Sequence, residues 1–290
     1  MKLDIISHCT IDTIDLNDSK YVVPGGPGCY CSLTARALKF DVKLHTKFGS
    51  DFTLVDYLTE QKIVIEDAFS NQPTTQFTLQ LVNSERTLFL KSKCEEINNI
   101  ILDTDNLIIS PLFDEISLEL FEKIKKNANF VLLDPQGFLR RINTEDKIYL
   151  ERTDLNLSNI SAIKVNSDEL RSLTGNSNLD GVKILQKKGI ENVILTDKQN
   201  ISLLSENKIY SITLPDIELN DTTGIGDIFS AAFCCTMLKE KDVLWALSFA
   251  GGAAQAALES SQIGLEKIPS KGAIESNAYY FYNTIKFKEI

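Results

Sequence analysis

The chain has 290 residues, 43% of them hydrophobic, and a formal net charge of −10. That length and apolar content suit one or two packed domains and exclude a disordered chain, and the acidic balance argues against nucleic acid as a main partner, because phosphate backbones are gripped by Lys and Arg. Two histidines make a His-rich metal centre or a Ser-His-Asp hydrolase a poor fit, and six cysteines without a C-x-x-C pair point to buried thiols rather than zinc.

The start, Met1 to Ser7, has too short an apolar run for a signal peptide and carries Asp4 within it. No apolar stretch approaches the ~20 residues a membrane helix needs, so the expected location is the cytoplasm. Leu3–Ser7 reads as a first strand, followed by a loop ending in Pro24-Gly25-Gly26-Pro27-Gly28. Leu33, Ala37 and Leu38 give helical spacing from Cys29 to Lys39, Val42–Phe48 alternates as a strand, and Asp51–Gln61 reads as helix. Between Thr74 and Leu90, Phe77, Leu79 and Leu81 alternate with polar residues, Asn83-Ser84-Glu85 supplies turn chemistry, and Thr87–Leu90 returns as a strand. This predicts a β-hairpin with one wet face, outside the main sheet.

From about residue 100 short apolar strands alternate with helices. Strands are expected at Asn106–Ser110, Phe130–Leu133, Ala162–Val165 and Val193–Thr196. Helices are expected around Ile116, Leu120 and Ile124, and at Asp168–Leu173, Leu179–Lys188, Asp227–Lys239 and Asp242–Leu258. Fully apolar strands between helices mean a mostly parallel sheet covered on both faces.

The most informative stretch is Asn220-Asp221-Thr222-Thr223-Gly224-Ile225-Gly226-Asp227, which opens a helix. Glycines there let the backbone approach a ligand and take positive φ. The N–H groups of Gly224, Ile225 and Gly226 would point at an anion, helped by the helix dipole. A carboxylate at Asp227 would be a poor anion ligand but is well placed to accept a proton from an attacking hydroxyl. A plain glycine turn with a Thr or Asp cap fits the same residues.

Asp221–Asp227 resembles the D-T-x-G-A-G-D signature of the ribokinase-like (PfkB) carbohydrate kinases, with Ile225 in place of the usual Ala. The resemblance implies an α/β three-layer sandwich, a single domain over residues 1–290 with a mostly parallel central sheet and a small β lid from parts of about 10–24 and 72–92. It implies a Mg-ATP-dependent transfer to a hydroxyl of a small sugar, polyol or nucleoside, with Asp227 as base, Gly224, Ile225 and Gly226 as anion hole, and Thr223 beside the donor. Gly25 and Gly26 resemble the diglycine that approaches the substrate, although Tyr30 stands where the family often has Asn. Asp12 matches the substrate-binding Asp. Asn166-Ser167-Asp168-Glu169 is similar to the N-x-x-E motif that organises Mg2+, with Asn166 and Glu169 as the implied metal-site residues; a capped helix start is an equally good account of it. Asp134-Pro135-Gln136-Gly137-Phe138-Leu139-Arg140 lies at a strand's carboxyl end, where open α/β sheets bind ligands. Gln136, Arg140 and Tyr30 together tilt the expectation towards a polyol such as myo-inositol. On the nucleotide side, Thr196 lies in a T-x-G-like region that lacks its glycines. Ala253, with Ala250, Gly251 and Ala254, matches the small-residue helix near adenine; close helix packing explains these residues at least as well.

A dinucleotide fingerprint fails at Cys31 and at Phe229, where third glycines would be needed, and no P-loop sequence occurs. A nucleoside or ketodeoxygluconate kinase stays open, as does a non-catalytic sugar- or nucleotide-binding regulator on the same fold. Neither membrane nor nucleic acid is expected as a partner, and a homodimer covering the lid's strand edge is a further expectation.

Overall fold

The computed structural model describes residues 1–16, 19–82, 85–215 and 221–289. Asn83 and Ser84 of the expected turn, and Asn220 at the head of the signature, lie outside the described residues.

The central sheet has ten strands, in the order Lys286–Glu289, Lys208–Thr213, Asn200–Ser205, Asn192–Asp197, Ala162–Asn166, Phe130–Leu133, Asn106–Ile109, Lys2–Ile6, Asp41–His45 and Ile63–Ile65. The last seven run parallel. The first three extend the sheet antiparallel. Buried side chains separate into two layers. Helices Gly26–Ala37, Ile225–Glu240, Val243–Leu258 and Lys271–Thr284 cover one face, and helices Leu118–Lys125, Ser167–Thr174 and Leu179–Lys187 cover the other. Strands such as Phe130–Leu133 are apolar throughout because both their faces are dry.

The parallel strands put their carboxyl ends along one edge. Ile6 pairs with Ile109, Ile109 with Leu133, Leu133 with Ile163, and Asn166 with Thr196. The residues just beyond, including Asp134 and Asn166, therefore face one crevice.

A four-stranded sheet stands over that edge, in the order Ser19–Gly25, Thr10–Leu16, Thr75–Val82 and Glu85–Ser92. Its outer pairs are antiparallel and its middle pair is parallel. The expected hairpin is thus its last two strands. The stretch before Pro24, read from its pattern as a loop, is a strand pair, in keeping with the small β lid expected from about 10–24: Thr10-Ile11-Asp12-Thr13-Ile14 alternates, with Ile14 buried. Sequence reading also left unassigned the Asn200–Thr213 hairpin and the final helix and strand. Glu206 and Asn207 turn that hairpin with positive φ but without the Asn-Gly signal.

Local chemistry sets several helix ends. Asp242 accepts the N–H groups of Leu244 and Trp245, and Ser117 accepts that of Leu120, as N-caps do. The small residues of Val243–Leu258 serve packing. A Cβ on Gly252 would lie 2.6 Å from the Ile274 carbonyl, and one on Gly251 2.3 Å from Ile212. All six cysteines are buried free thiols, as their spacing implies.

Candidate functional site

The helix Ile225–Glu240 begins at Gly224, whose φ is 74°. An added Cβ there would lie 2.4–2.5 Å from three atoms of the Tyr30 ring, so both backbone and space call for glycine. The preceding turn is fixed from below. The N–H of Thr223 donates to Asp221 Oδ1 at 2.8 Å. The Ile225 N–H makes only a long 3.5 Å bond to the Thr222 carbonyl, and the Asp227 N–H donates to Gly224 O at 3.1 Å. The helix N-terminus presents its positive dipole end and first-turn N–H groups at this point, a cradle for an anion.

The cradle opens into a cavity of about 490 Å³ between the two sheets. From the small sheet come Asp12, Phe77 and Leu79. From the edge of the large sheet come Gln136, Arg140, Lys164, Asn166 and Glu169. Gly26, Tyr30, Thr223, Gly224, Gly226 and Asp227 complete the wall. Most residues expected from the sequence are therefore brought together. Four are not on this wall. Gly25 sits behind Asp12, where a Cβ would lie 2.5 Å from Asp12 Oδ2. Ile225 gives its N–H to the turn, and its side chain packs against the core rather than lining the cavity. The Thr196 hydroxyl donates to the Val165 carbonyl at 3.4 Å, and Ala253 is fully buried within the helix layer.

Lys164 on the cavity wall and Asp134 buried behind it were not singled out as site residues by sequence reading. Lys164 forms a buried ion pair with Asp134, and a Cβ on Gly226 would meet the Lys164 Nζ at 2.9 Å. The available signal was a lysine inside an otherwise apolar strand, two residues before Asn166. Burial opposes the Lys164 charge, yet Asp134, Glu169 and Asp227 hold its pKa above the ordinary value. For Asp227, burial is the largest influence, with Asp134 and Asp12 also raising and Lys164 and Arg140 lowering; the result is a pKa of about 7. Glu169 is likewise pushed up to about 7 by burial and Asp134, against Lys164 and the Asn166 N–H. A carboxyl that titrates near neutrality beside an anion cradle is matched to proton transfer.

On the small-sheet side the Arg140 guanidinium donates to Gln136 Oε1 at 2.5 Å and to the Leu112 carbonyl at 3.1 Å, with its carbon 6.0 Å from the Phe77 ring centre. These contacts fix its fork at the cavity wall. The Tyr30 hydroxyl and Thr223 Oγ1 are buried without a hydrogen-bond partner among the described residues, an arrangement suited to polar groups that a ligand satisfies.

Asn166 Oδ1 accepts the N–H groups of Asp168 and Glu169, while Glu169 Oε2 accepts the N–H of Asn166 at 2.8 Å. The motif is thus a capping box. It also sets the Glu169 carboxyl at the cavity wall, where burial and Asp134 raise its pKa and Lys164 lowers it. No group of three His, Cys, Asp or Glu forms a ready metal cage among the described residues. The carboxylate and amide oxygens of Glu169 and Asn166 are of the donor type that Mg2+ takes.

A profile described as pfkB family carbohydrate kinase matches residues 22–270. Ribokinase of Arabidopsis thaliana is 30% identical over 150 residues, 49% of this chain and 37% of that protein, so the match spans little more than a third of the relative's length. Among solved structures, one of a pyrophosphate-dependent myo-inositol-1 kinase converted into a myo-inositol-3 kinase superposes with a TM-score of 0.82, covering 97% of this chain and 99% of that one at 21% identity. Arabidopsis thaliana ribokinase complexed with ribose and ATP gives 0.74, covering 96% and 98% at 19% identity. These likenesses show the ribokinase-like fold. With the profile match extending from the small sheet past the anion cradle, this chain belongs to the pfkB family of carbohydrate kinases.

Proposed function

We propose that this chain transfers the terminal phosphoryl group of ATP to a hydroxyl of a small sugar or polyol, with myo-inositol the favoured acceptor. The observation that carries the reading is Asp227, a carboxyl with a pKa of about 7 at the mouth of a helix N-terminus. The acceptor lies between Asp12 and Asp227, with Gln136 and Arg140 as hydrogen-bonding partners. As the acceptor oxygen attacks phosphorus, its proton passes to Asp227, and the bond to the departing ADP oxygen breaks. The glycine-turn N–H groups stabilise charge on the transferring oxygens. Asn166 and Glu169 would hold hydrated Mg2+, which supplies charge neutralisation on the phosphates. The small sheet acts as the lid that excludes water. Its outer strand exposes Tyr21 and Val22, the surface a second copy would cover.

A second reading of the donor has its own support. Ala250, Gly251, Ala253 and Ala254 are buried, and their small size is accounted for by helix and sheet packing. One structural neighbour is a pyrophosphate-dependent kinase complexed with a pyrophosphate analogue and myo-inositol. Inorganic pyrophosphate would need the cradle but no base-binding surface.

The test is direct detection of phosphorylated product from Mg-ATP, and separately from Mg-pyrophosphate, against myo-inositol, ribose, fructose, ketodeoxygluconate and nucleosides. Product from myo-inositol supports the roles of Gln136 and Tyr30; product from ribose or a nucleoside alone replaces them. Ligand binding without product from either donor favours a regulatory protein. Because Asp227 acts deprotonated, kcat/KM for the acceptor should rise with pH and level off above about 7. A profile that is flat through neutrality removes Asp227 from the rate-limiting proton transfer.

A further inference from the structure

The chain crosses between the large and small sheets at four places: from Ile6 to Thr10, Gly25 to Gly26, Ile65 to Thr75, and Ser92 to Asn106. His8 lies on the first crossing, 1% exposed, and it touches the other three. Its carbonyl accepts the Gly28 N–H at 3.2 Å. A Cβ on Gly26 would lie 2.9 Å from that carbonyl oxygen, and one on Gly28 2.7 Å, so the approach of His8 calls for glycine at both positions. The His8 Nδ1 lies 2.9 Å from Thr75 Oγ1, and its Nε2 lies 2.9 Å from the Glu95 carbonyl oxygen.

The partners fix the proton on the ring. A carbonyl only accepts, so Nε2 carries the hydrogen and Nδ1 is the acceptor. The Thr75 hydroxyl therefore donates to Nδ1, and its oxygen accepts the Cys94 N–H at 3.0 Å. Burial holds the His8 pKa below its ordinary value, against the pull of Glu115 and Glu95, so the ring is neutral. The network then runs on to the cavity wall. Glu115, fully buried, accepts the His8 N–H at 3.3 Å and the N–H groups of Leu112 and Phe113 at 2.7 Å each. The Leu112 carbonyl is the one that holds Arg140. Asp12 lies on the strand that the His8 segment enters. One buried residue thus joins the strand of Asp12 to the loop that holds Arg140.

We propose that His8 is a positioning residue that gathers the four crossings at one point and so sets the small sheet over the cavity, with Asp12 and Arg140 at a fixed separation. The kinetic arm of its test rests on the phosphoryl-transfer reading above, and the exchange arm does not. His8→Leu keeps similar bulk and removes both ring bonds. Thr75→Val removes one hydroxyl and keeps the side chain's shape, and it carries the test should His8→Leu fail to fold. Either variant should raise acceptor KM about 10-fold, the effect of one buried hydrogen bond left unmade, with kcat little changed. The fraction of donor hydrolysed per product formed should also rise, because a loosened small sheet admits water. A residue that only supports folding would lower the unfolding temperature and leave KM and that fraction unchanged. In the ligand-free proteins, amide hydrogen exchange read by mass spectrometry should quicken together in segments 7–12, 26–28, 74–76 and 93–96 of the variant and stay unchanged in Val243–Leu258.

An unchanged acceptor KM or an unchanged hydrolysed fraction in a folded variant overturns the proposal, as does faster exchange confined to the substituted segment. If wild type turns over no acceptor, the kinase reading falls. Joint quickening of the four segments then still supports His8 in this role, and local quickening removes it.

Discussion

Asp227→Asn should lower kcat by at least about 100-fold, the lower end of what a lost general base costs, while acceptor affinity stays close to wild type. The substitution keeps the shape of the side chain and removes only its ability to take a proton. The same variant should be more stable than wild type at neutral and alkaline pH. In the folded protein Asp227 holds its proton up to about pH 7, against an ordinary value of 3.8. The folded state therefore binds more protons than the unfolded one between these values, and wild-type stability falls as pH rises through that window. Asn carries no such charge, so its advantage is absent below the unfolded pKa and complete above about 7. One pKa unit is worth ~1.4 kcal/mol, and Asp227 shares its cavity with other charges, which sets the gain at roughly 2–4 kcal/mol. Thermal unfolding of both proteins across pH measures it. Near-wild-type turnover, or a stability difference independent of pH, contradicts the role and the environment respectively.

Gly224→Ala should have a comparable effect on turnover by a different route. The left-handed backbone at φ 74° costs an alanine about 1–2 kcal/mol. Its methyl would also sit 2.4–2.5 Å from the Tyr30 ring, so ring or turn must move, at a further cost of about 1–3 kcal/mol. Displacing cradle N–H groups should cost kcat about 100- to 1000-fold. Gly175→Ala is the matched control. Its φ is 83° and nothing lies within 4 Å of an added Cβ, so it should show the backbone strain in its unfolding temperature with turnover unchanged. Equal losses of turnover in the two variants would mean that the cradle's geometry is not what Gly224 protects.

The contrast between those glycines also explains what was legible in the sequence. Phe130–Leu133 is readable because a strand dry on both faces must be apolar throughout, and Ala162–Asn166 follows the same pattern except at Lys164 and Asn166, which serve the site. The Asp221–Asp227 signature is readable because positive φ and close approach restrict residue choice locally. Asp12, Gln136 and Arg140 were named through the family resemblance, the last two also by their place after a strand's carboxyl end, and the fold brings them to the same cavity. What escaped depends on distance in the chain. Lys267 meets Asp221 across 46 positions, and no local pattern announces such a pair. The alanines and glycines of Val243–Leu258 were ambiguous for the opposite reason. Small residues permit either a ligand or another helix to come close, and only the position of Ile274 and Ala278 decides for the helix. The Thr10–Gly25 strand pair was expected only through the family resemblance, as part of the lid, and not from its residue pattern, because half-exposed strands of a small sheet carry Asp, Thr and Lys as readily as a loop does.

The measurement that tests the central claim most directly is a parallel assay of wild type and Asp227→Asn. Each receives the acceptor panel with Mg-ATP and with Mg-pyrophosphate, and phosphorylated product is detected by mass spectrometry. The account predicts product from wild type with at least one acceptor, and at least about 100-fold less from the variant under the same conditions. Equal product from both proteins, or none from wild type despite measurable ligand binding, would contradict it.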